Sequence, residues 1–223
     1  MSPSFSAASH LFLLVQSGRK AYFSDSFIGY MVNINKLSII IPAYNEAKTI
    51  HQILNLLNEV KLINGIEKEL IVVNDCSTDN TEEVLLQYRS EHPQLNIQYF
   101  KHEVNQGKGA AIHTGIKNAG GEWLVIQDAD LEYDPEEFNE LLRPVVRGAA
   151  DVVFGSRFQG GNPHRILFYW HSIGNKLLTR LSNMFTNLNL TDMETGYKLC
   201  KTSTIRSLDL REKRFGFEPE ITA

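Results

Sequence analysis

The stretch WLVIQDADLEYD, Trp123 to Asp134, divides into an apolar run of four residues and an acidic end. A short run that is apolar on both faces, bounded at once by polar residues, predicts a strand buried in a sheet covered by helices on both sides. Side chains alternate along an extended segment, so Asp128 and Asp130 leave the strand end on the same side. Two carboxylates so placed suit Mg²⁺ or Mn²⁺, hard cations that take oxygen ligands and complete their shell with water and phosphate. Alone, an Asp-x-Asp is more often a solvated turn; the rest of the chain decides between the two readings.

The same pattern repeats on either side of that stretch. Residues 37–41 are a continuous apolar run closed by Pro42, which has no amide to give a ladder and is expected to end the strand. Apolar residues at 50, 53, 54 and 57 then predict an amphipathic helix over 46–60. Residues 70–73 form a second strand running into Asn74-Asp75-Cys76-Ser77-Thr78-Asp79-Asn80-Thr81, and positions 81, 84, 85 and 88 a second helix face. Residues 96–100 alternate as a third strand; Asn105-Gln106-Gly107-Lys108-Gly109 follows and opens a helix through 119. After the fourth strand, Asp134-Pro135-Glu136-Glu137 is a helix start, with Asp as N-cap, Pro at the first position and acids in the first turn. A fifth strand over 151–156 and a helix over 174–185 complete the regular part.

Strands alternating with helices give an α/β domain with a mostly parallel, Rossmann-like sheet and flanking helices. In such sheets ligands bind beyond the carboxyl ends of the strands. That edge gathers Tyr44, Glu46, Asp75, Asp79, Gly107, Lys108, Asp128 and Asp130 into one candidate site. Asp79 has a structural reading of equal weight, as a cap beside Thr81.

Composition sets the outer bounds. The 223 residues carry 22 basic and 26 acidic side chains, net −4, and are 43% hydrophobic, which fits a folded domain and argues against nucleic-acid binding by bulk charge. Two cysteines make no disulfide framework and suit a reducing compartment. No apolar run approaches the ~18 residues of a membrane span, so a cytoplasmic protein is expected, with any membrane contact peripheral, at the surface. Residues 1–35 lack clean periodicity and are expected to form a poorly ordered extension ahead of a domain spanning 36–223. His102, His113 and His164 share no ligand spacing and read as surface or helix positions.

Two phosphate-binding motifs are excluded. A Walker loop needs Gly where His102 stands and Ser or Thr where Gly109 stands, and a dinucleotide fingerprint needs a third Gly where Ile112 stands. Ile39-Ile40-Ile41-Pro42-Ala43-Tyr44-Asn45-Glu46, the 73–81 segment, Asn105 to Gly109 and Asp128-Ala129-Asp130 instead resemble the ordered signatures of family 2 glycosyltransferases of the GT-A fold. Gly155-Ser156-Arg157 and Asp192-Met193-Glu194-Thr195-Gly196-Tyr197-Lys198 are similar to the dolichol- or polyprenyl-phosphate mannose and glucose synthases within it. The resemblance covers residues 37–223.

What the resemblance implies is a division of labour. Pro42, Tyr44, Glu46 and Asp75 match positions that cradle the base and ribose of a nucleotide sugar, with Gly107, Lys108 and Asp128 toward its phosphates. Asp128 and Asp130 match the metal motif, for Mg²⁺ or Mn²⁺. Arg157 matches an arginine that binds the lipid phosphate; Arg165, His171 and Ser172 are further acceptor-phosphate candidates whose spacing aligns less cleanly. Asp130 and Arg157 are accordingly the catalytic candidates. The implied reaction moves mannose or glucose, with inversion, from a nucleotide-diphosphate sugar to a polyprenyl phosphate at the membrane surface. An already anionic phosphate acceptor needs no strong general base. A sugar hydroxyl acceptor, the alternative enzyme reading, does, and points to Glu218 and Glu220. A non-catalytic nucleotide-sugar-binding fragment is the third reading, because similar enzymes continue beyond this point and the domain is expected to be truncated at its C-terminal end.

Overall fold

A computed structural model of the chain describes residues 13–15, 32–155, 169–187, 189–193, 195–214 and 216–222, with backbone alone at 13–15 and 169–172. Its strands are β1 (Leu13–Val15), β2 (Lys36–Ala43), β3 (Glu67–Asn74), β4 (Ile97–Lys101), β5 (Trp123–Ile126), β6 (Val152–Phe154) and β7 (Lys198–Lys201). They form one sheet in the order β1-β6-β7-β5-β2-β3-β4. The four strands β5, β2, β3 and β4 run parallel, and β7 is antiparallel to both of its neighbours. The helices are α1 (Ile50–Glu59), α2 (Thr81–Glu91), α3 (Lys108–Asn118), α4 (Phe138–Val146), α5 (Tyr169–Thr186), α6 (Thr202–Ser207) and α7 (Phe217–Thr222).

Period-two alternation splits the core into two layers. Leu37, Ile39 and Ile41 of β2 face one cluster with Ile50, Ile53 and Leu57 of α1 and Phe138 and Leu142 of α4. Ile40 and Ile71 face the other, with Ala111, Ile112 and Ile116 of α3 and Phe217 of α7. The central strands are therefore apolar on both faces because both faces are covered.

Most predicted elements stand where their periodicity put them; three differ for identifiable reasons. Strand β2 continues through Pro42 to Ala43, because β5 pairs with β2 only as far as Ile40. There Gln127 N already donates to Ile40 O (2.9 Å), so the amide that Pro42 lacks is not needed. The first helix begins at Ile50, not at 46, since Glu46 to Thr49 close a turn in which Ile50 N donates to Glu46 O (2.9 Å). Strand β7 was not foreseen. Its sequence Lys-Leu-Cys-Lys looks half polar, yet Lys198 is fully buried. Of the 1–35 extension, Leu13–Val15 and residues 32–35 are described; the former pairs parallel with β6, and in the latter Val32 N donates to Val146 O (3.0 Å).

The chain runs β2, β3, β4 in one direction across the sheet and returns to place β5 on the other side of β2. The loops after β2 and β5 thus diverge, leaving a crevice at the carboxyl ends where order reverses. No helix among the described residues is long and apolar enough to cross a membrane.

Candidate active site

Ladder hydrogen bonds carried one residue beyond the strands fix the site's first side chains. Asp75 N donates to Ala43 O and His102 N to Asn74 O, both at 2.9 Å, so Asp75, His102 and Gln127 all stand on the carboxyl edge. Three non-glycine residues in the loops here have positive φ: Asn45 (58°) after β2, Cys76 (59°) after β3 and Leu131 (62°) after β5. Asn tolerates that region, but Cys and Leu do so at a cost, and such strain gathers at functional loops.

Asp75 is a junction. Its Oδ1 accepts from Gln106 N (2.9 Å) and meets His102 Nδ1 (2.7 Å), while Oδ2 accepts from Gly107 N (2.7 Å). His102 continues to Thr114 Oγ1 on α3 (2.9 Å). The carboxylate therefore holds the Asn105-to-Gly107 loop against β3. His102, read from sequence as a surface residue, belongs to the site; its offset directly after β4, matching that of Asp75 after β3, was the signal available.

The loop after β2 is tied to the loop after β3. Asn45 Oδ1 accepts from Thr78 N (2.8 Å), Glu46 N donates to Thr81 Oγ1 (2.8 Å), and Asp79 accepts from Ala47 N (3.2 Å) and Thr81 N (3.0 Å). Asp79 is thus structural: desolvation would raise its carboxyl, but the Thr81 hydroxyl and the Thr81 and Ala47 amides, all donating to it, hold it below the usual range. Glu46 accepts from the Thr49 hydroxyl, and Tyr44 stands half-exposed beside it.

Lys108 opens α3 and reaches across to β5. Its Nζ lies 2.7 Å from Asp128 Oδ1 and 3.0 Å from Oδ2. On its other side it sits 3.3 Å from Glu218 Oε1, an ion-pair distance without hydrogen-bond geometry. Glu218 Oε2 in turn accepts from Lys198, which also donates to Thr195 O. Asp128, Lys108, Glu218 and Lys198 form a chain of alternating charge from β5 through α3 and α7 to β7. Burial works against the Lys108 charge, but Asp128 and Glu218 prevail and hold it above the ordinary lysine range. Lys198 goes the other way: burial lowers it, with Glu218 opposing.

The glycines flanking Lys108 are needed by the chain's own backbone. A Cβ on Gly107, at φ +97°, would lie 2.7 Å from Lys213 O, and one on Gly109 would lie 2.5 Å from Glu212 O. Ala110 N donates to Lys213 O (2.9 Å), so residues 212–214 strap the start of α3. The space beside these glycines, expected from sequence to admit a donor, is filled by this strap.

Asp128 and Asp130 are held by a small framework. Gln127 Nε2 donates to Asp128 O (3.1 Å) and Tyr133 O (3.3 Å), and Tyr197 Oη donates to Gln127 Oε1 (3.0 Å). Gly196 N donates to Tyr133 Oη (2.8 Å), and a side chain at Gly196 would crowd Asp128 Oδ2. Asp130 is exposed, its Oδ1 accepting from Glu132 N (3.1 Å). Asp134 caps the next turn as expected, accepting from Glu136 N (3.0 Å).

The donor set suits a hard divalent cation. The ammonium of Lys108 on both oxygens of Asp128 marks a place where positive charge is stabilised. Among the described residues no group of three His, Cys, Asp or Glu could hold a metal. Asp128 and Asp130 would thus supply two ligands at most and leave the rest of the shell to water and phosphate, which is the habit of Mg²⁺ and Mn²⁺. Pro42 lies in β2, half-buried, one residue before the strand's end. Arg157 and Arg165 lie outside the described residues; His171 and Ser172 fall in α5, their side chains undescribed. Asp192 is buried and accepts from Asn175 of α5 (2.7 Å), a structural role. Cys200 is buried and its thiol pushed up to about 12, so it is no nucleophile.

The model of the family described as Glycosyl transferase family 2 matches residues 38–208. A dolichyl-phosphate beta-glucosyltransferase of Trichomonas vaginalis is 33% identical over 198 residues, which are 83% of this chain and 59% of that protein. A dolichol-phosphate mannosyltransferase of Pyrococcus furiosus is 26% identical over 193 residues, 83% of this chain and 52% of that one. The chain thus spans little more than half the length of these relatives. Among solved structures, Staphylococcus aureus TarS 1–349 in complex with UDP superposes with a TM-score of 0.60 at 25% identity, covering 84% of this chain and 53% of that one.

Proposed function

We propose, from the premise that this chain belongs to glycosyl transferase family 2, that it is the GT-A domain of an inverting transferase moving glucose or mannose from a nucleotide-diphosphate sugar to a polyprenyl phosphate. The observation that carries this reading is the Lys108–Asp128 pair at 2.7 Å, set at the carboxyl ends of the sheet where strand order reverses. A diphosphate is recognised by such a pairing of fixed ammonium and cation-binding carboxylate. The relatives' acceptors, named as dolichol phosphates, supply the second substrate class.

In this reading Tyr44 offers an aromatic face to the base, and Glu46 accepts from base or ribose. Asp75, its oxygens committed to the Asn105-to-Gly107 loop, acts by shaping the nucleotide pocket. Lys108 turns from Asp128 to the diphosphate when the donor enters, while Glu218 keeps its other side anchored. A divalent cation on Asp128 and Asp130 would offset the charge that grows on the leaving nucleoside diphosphate. Arg157, permanently charged and bidentate, orients the acceptor phosphate, whose oxygen attacks the anomeric carbon opposite the nucleotide.

The hydroxyl-acceptor alternative is less well supported. It needs a general base, and the two carboxylates named for that role are occupied: Glu218 lies between Lys108 and Lys198, and Glu220 accepts from Arg211 N and Glu212 N. The test is transfer from UDP- and GDP-hexoses with Mg²⁺ or Mn²⁺, with and without a short polyprenyl phosphate. Product that forms with the lipid phosphate and not with free sugars supports the proposal; transfer to sugar hydroxyls alone overturns it.

A further inference from the structure

One oxygen in the chain of alternating charge has no hydrogen bond. Glu218 Oε1 is buried without a partner, although Lys108 Nζ stands 3.3 Å away. Buried polar atoms are nearly always satisfied, so an orphaned acceptor beside a donor on a flexible stem marks a second place for that donor. The ammonium of Lys108 is engaged on Asp128 instead, 2.7 Å from Oδ1 and 3.0 Å from Oδ2, which sets it between the two oxygens. Lys108 is free to change sides, since its side chain is 26% exposed and both carboxylates already lie within ion-pair reach. Asp128 is fixed: its carbonyl accepts from Gln127 Nε2 (3.1 Å), and its Oδ2 lies against Gly196, where an added Cβ would be 3.1 Å away.

Asp128 is also half of the proposed cation site, and Lys108 covers the space between its oxygens. A hard cation approaches carboxylate oxygens more closely than an ammonium does, to about 2.0–2.1 Å for Mg²⁺, and two positive charges on one carboxylate repel each other. Lys108 and the cation therefore compete for Asp128. We propose that Lys108 is a latch with two positions: on Asp128 it closes the cation site, and hydrogen-bonded to Glu218 Oε1 it leaves that site open while facing the donor's diphosphate. This rests on the nucleotide-sugar reading, because the diphosphate is what draws the ammonium across, and it adds a binding order to that reading. The donor-free chain holds metal weakly; nucleotide diphosphate and metal enter together, each strengthening the other by the same factor. A lysine that served only to bind phosphate would leave the affinity for bare metal unchanged when removed, and one that served only the fold would lower it.

The test is Mn²⁺ binding by the 223-residue chain, with free Mn²⁺ counted by electron paramagnetic resonance in the presence and absence of UDP or GDP. Wild type is expected to bind bare Mn²⁺ weakly, and at least about tenfold more tightly at the same free Mn²⁺ once one of the nucleotides is present. Lys108→Met is expected to bind bare Mn²⁺ at least about tenfold more tightly than wild type and to gain less from nucleotide. Lys108→Gln carries the same expectation and takes its place if the methionine variant does not fold. Removing the other position of the latch acts differently: Glu218→Leu with Lys198→Met leaves bare Mn²⁺ binding as in wild type and shrinks the gain from nucleotide. A folded Lys108 variant that binds bare Mn²⁺ no better than wild type overturns the latch, and so does a double variant whose gain from nucleotide is as large as wild type's. If nucleotide still strengthens Mn²⁺ binding by wild type in those cases, the reading of the donor site stands without the latch. Wild type that binds Mn²⁺ with neither nucleotide overturns both the latch and the metal reading beneath it.

Discussion

Lys198 and Glu218 show how a residue can matter to a site without touching a substrate. Lys198 has no exposed surface, and Glu218 is its only carboxylate partner among the described residues. Breaking a buried pair leaves an uncompensated charge, whereas replacing both partners by apolar groups removes the desolvation cost as well. Glu218→Leu is therefore expected to destabilise the domain by about 3–5 kcal/mol, and Lys198→Met added to it to restore most of the loss. Denaturant midpoints of the two singles and the double decide this; additive losses would mean that the pair contributes nothing as a pair. Lys108 keeps Asp128 in every one of these variants, so donor binding by the refolded double reports how much Glu218 adds as its second anchor. Asp130→Asn acts differently, since that carboxylate is exposed and makes only one local hydrogen bond. It is expected to leave stability unchanged and abolish metal-dependent donor binding by calorimetry; binding as tight as wild type would take the metal from Asp130.

At the scale of elements, α3 is where sequence and structure are most closely joined, because its small residues are each answered by a neighbour. Gly115 packs on Ile40 of β2, Gly109 on the backbone of Glu212 and Lys213, and Arg206 of α6 donates to Ile116 O (2.8 Å), Lys117 O (3.1 Å) and Ala119 O (2.6 Å) at the helix's carboxyl end. Gly109→Ala would gain helix propensity but force the strap at 212–214 away. A net loss of about 1–2 kcal/mol is expected. Faster amide exchange confined to 211–216 identifies the strap as the part that yields; exchange unchanged there would show that the strap does not rest on Gly109. None of this could be read from the sequence, where Gly107-Lys108-Gly109 looks like a loop made for a ligand. The strands were legible because burial on both faces leaves an unbroken apolar run, as in Trp123 to Ile126. Strand β7 was not, because its buried lysine is solvated by Glu218, twenty residues away.

For the molecule as a whole, the site was legible as an address and not as a circuit. Topology alone brings Asp75, Lys108 and Asp128 to one edge, but the links through His102, Gln127 and Glu218 are long-range contacts between side chains that share no pattern. The last of these links depends on α7 staying seated on α3, and His113 stands at that seat. Its ring lies edge-on to Phe217 with centroids 5.7 Å apart, and its Nε2 is buried without a partner. Burial lowers its pKa from 6.5, with the charge of Glu220 opposing and that of Lys213 assisting. The unfolded chain therefore takes up a proton below 6.5 that the folded one refuses. Stability is intact above 6.5 and falls as pH drops toward the folded value. Glu137, raised by burial and by Asp134, has the opposite sign, since its neutral form is favoured in the fold and stability recovers as pH falls toward 4.5. Thermal midpoints from about pH 7.5 to about pH 5 are expected to decline for the wild type once pH passes 6.5, and to lose that decline in His113→Phe, which keeps an aromatic edge against Phe217 without a group to protonate and leaves only the opposite slope of Glu137. Equal slopes in the two proteins would place the acid sensitivity elsewhere. A slope lost together with the pH dependence of donor binding would tie Phe217, and through it Glu218, to the state of Lys108.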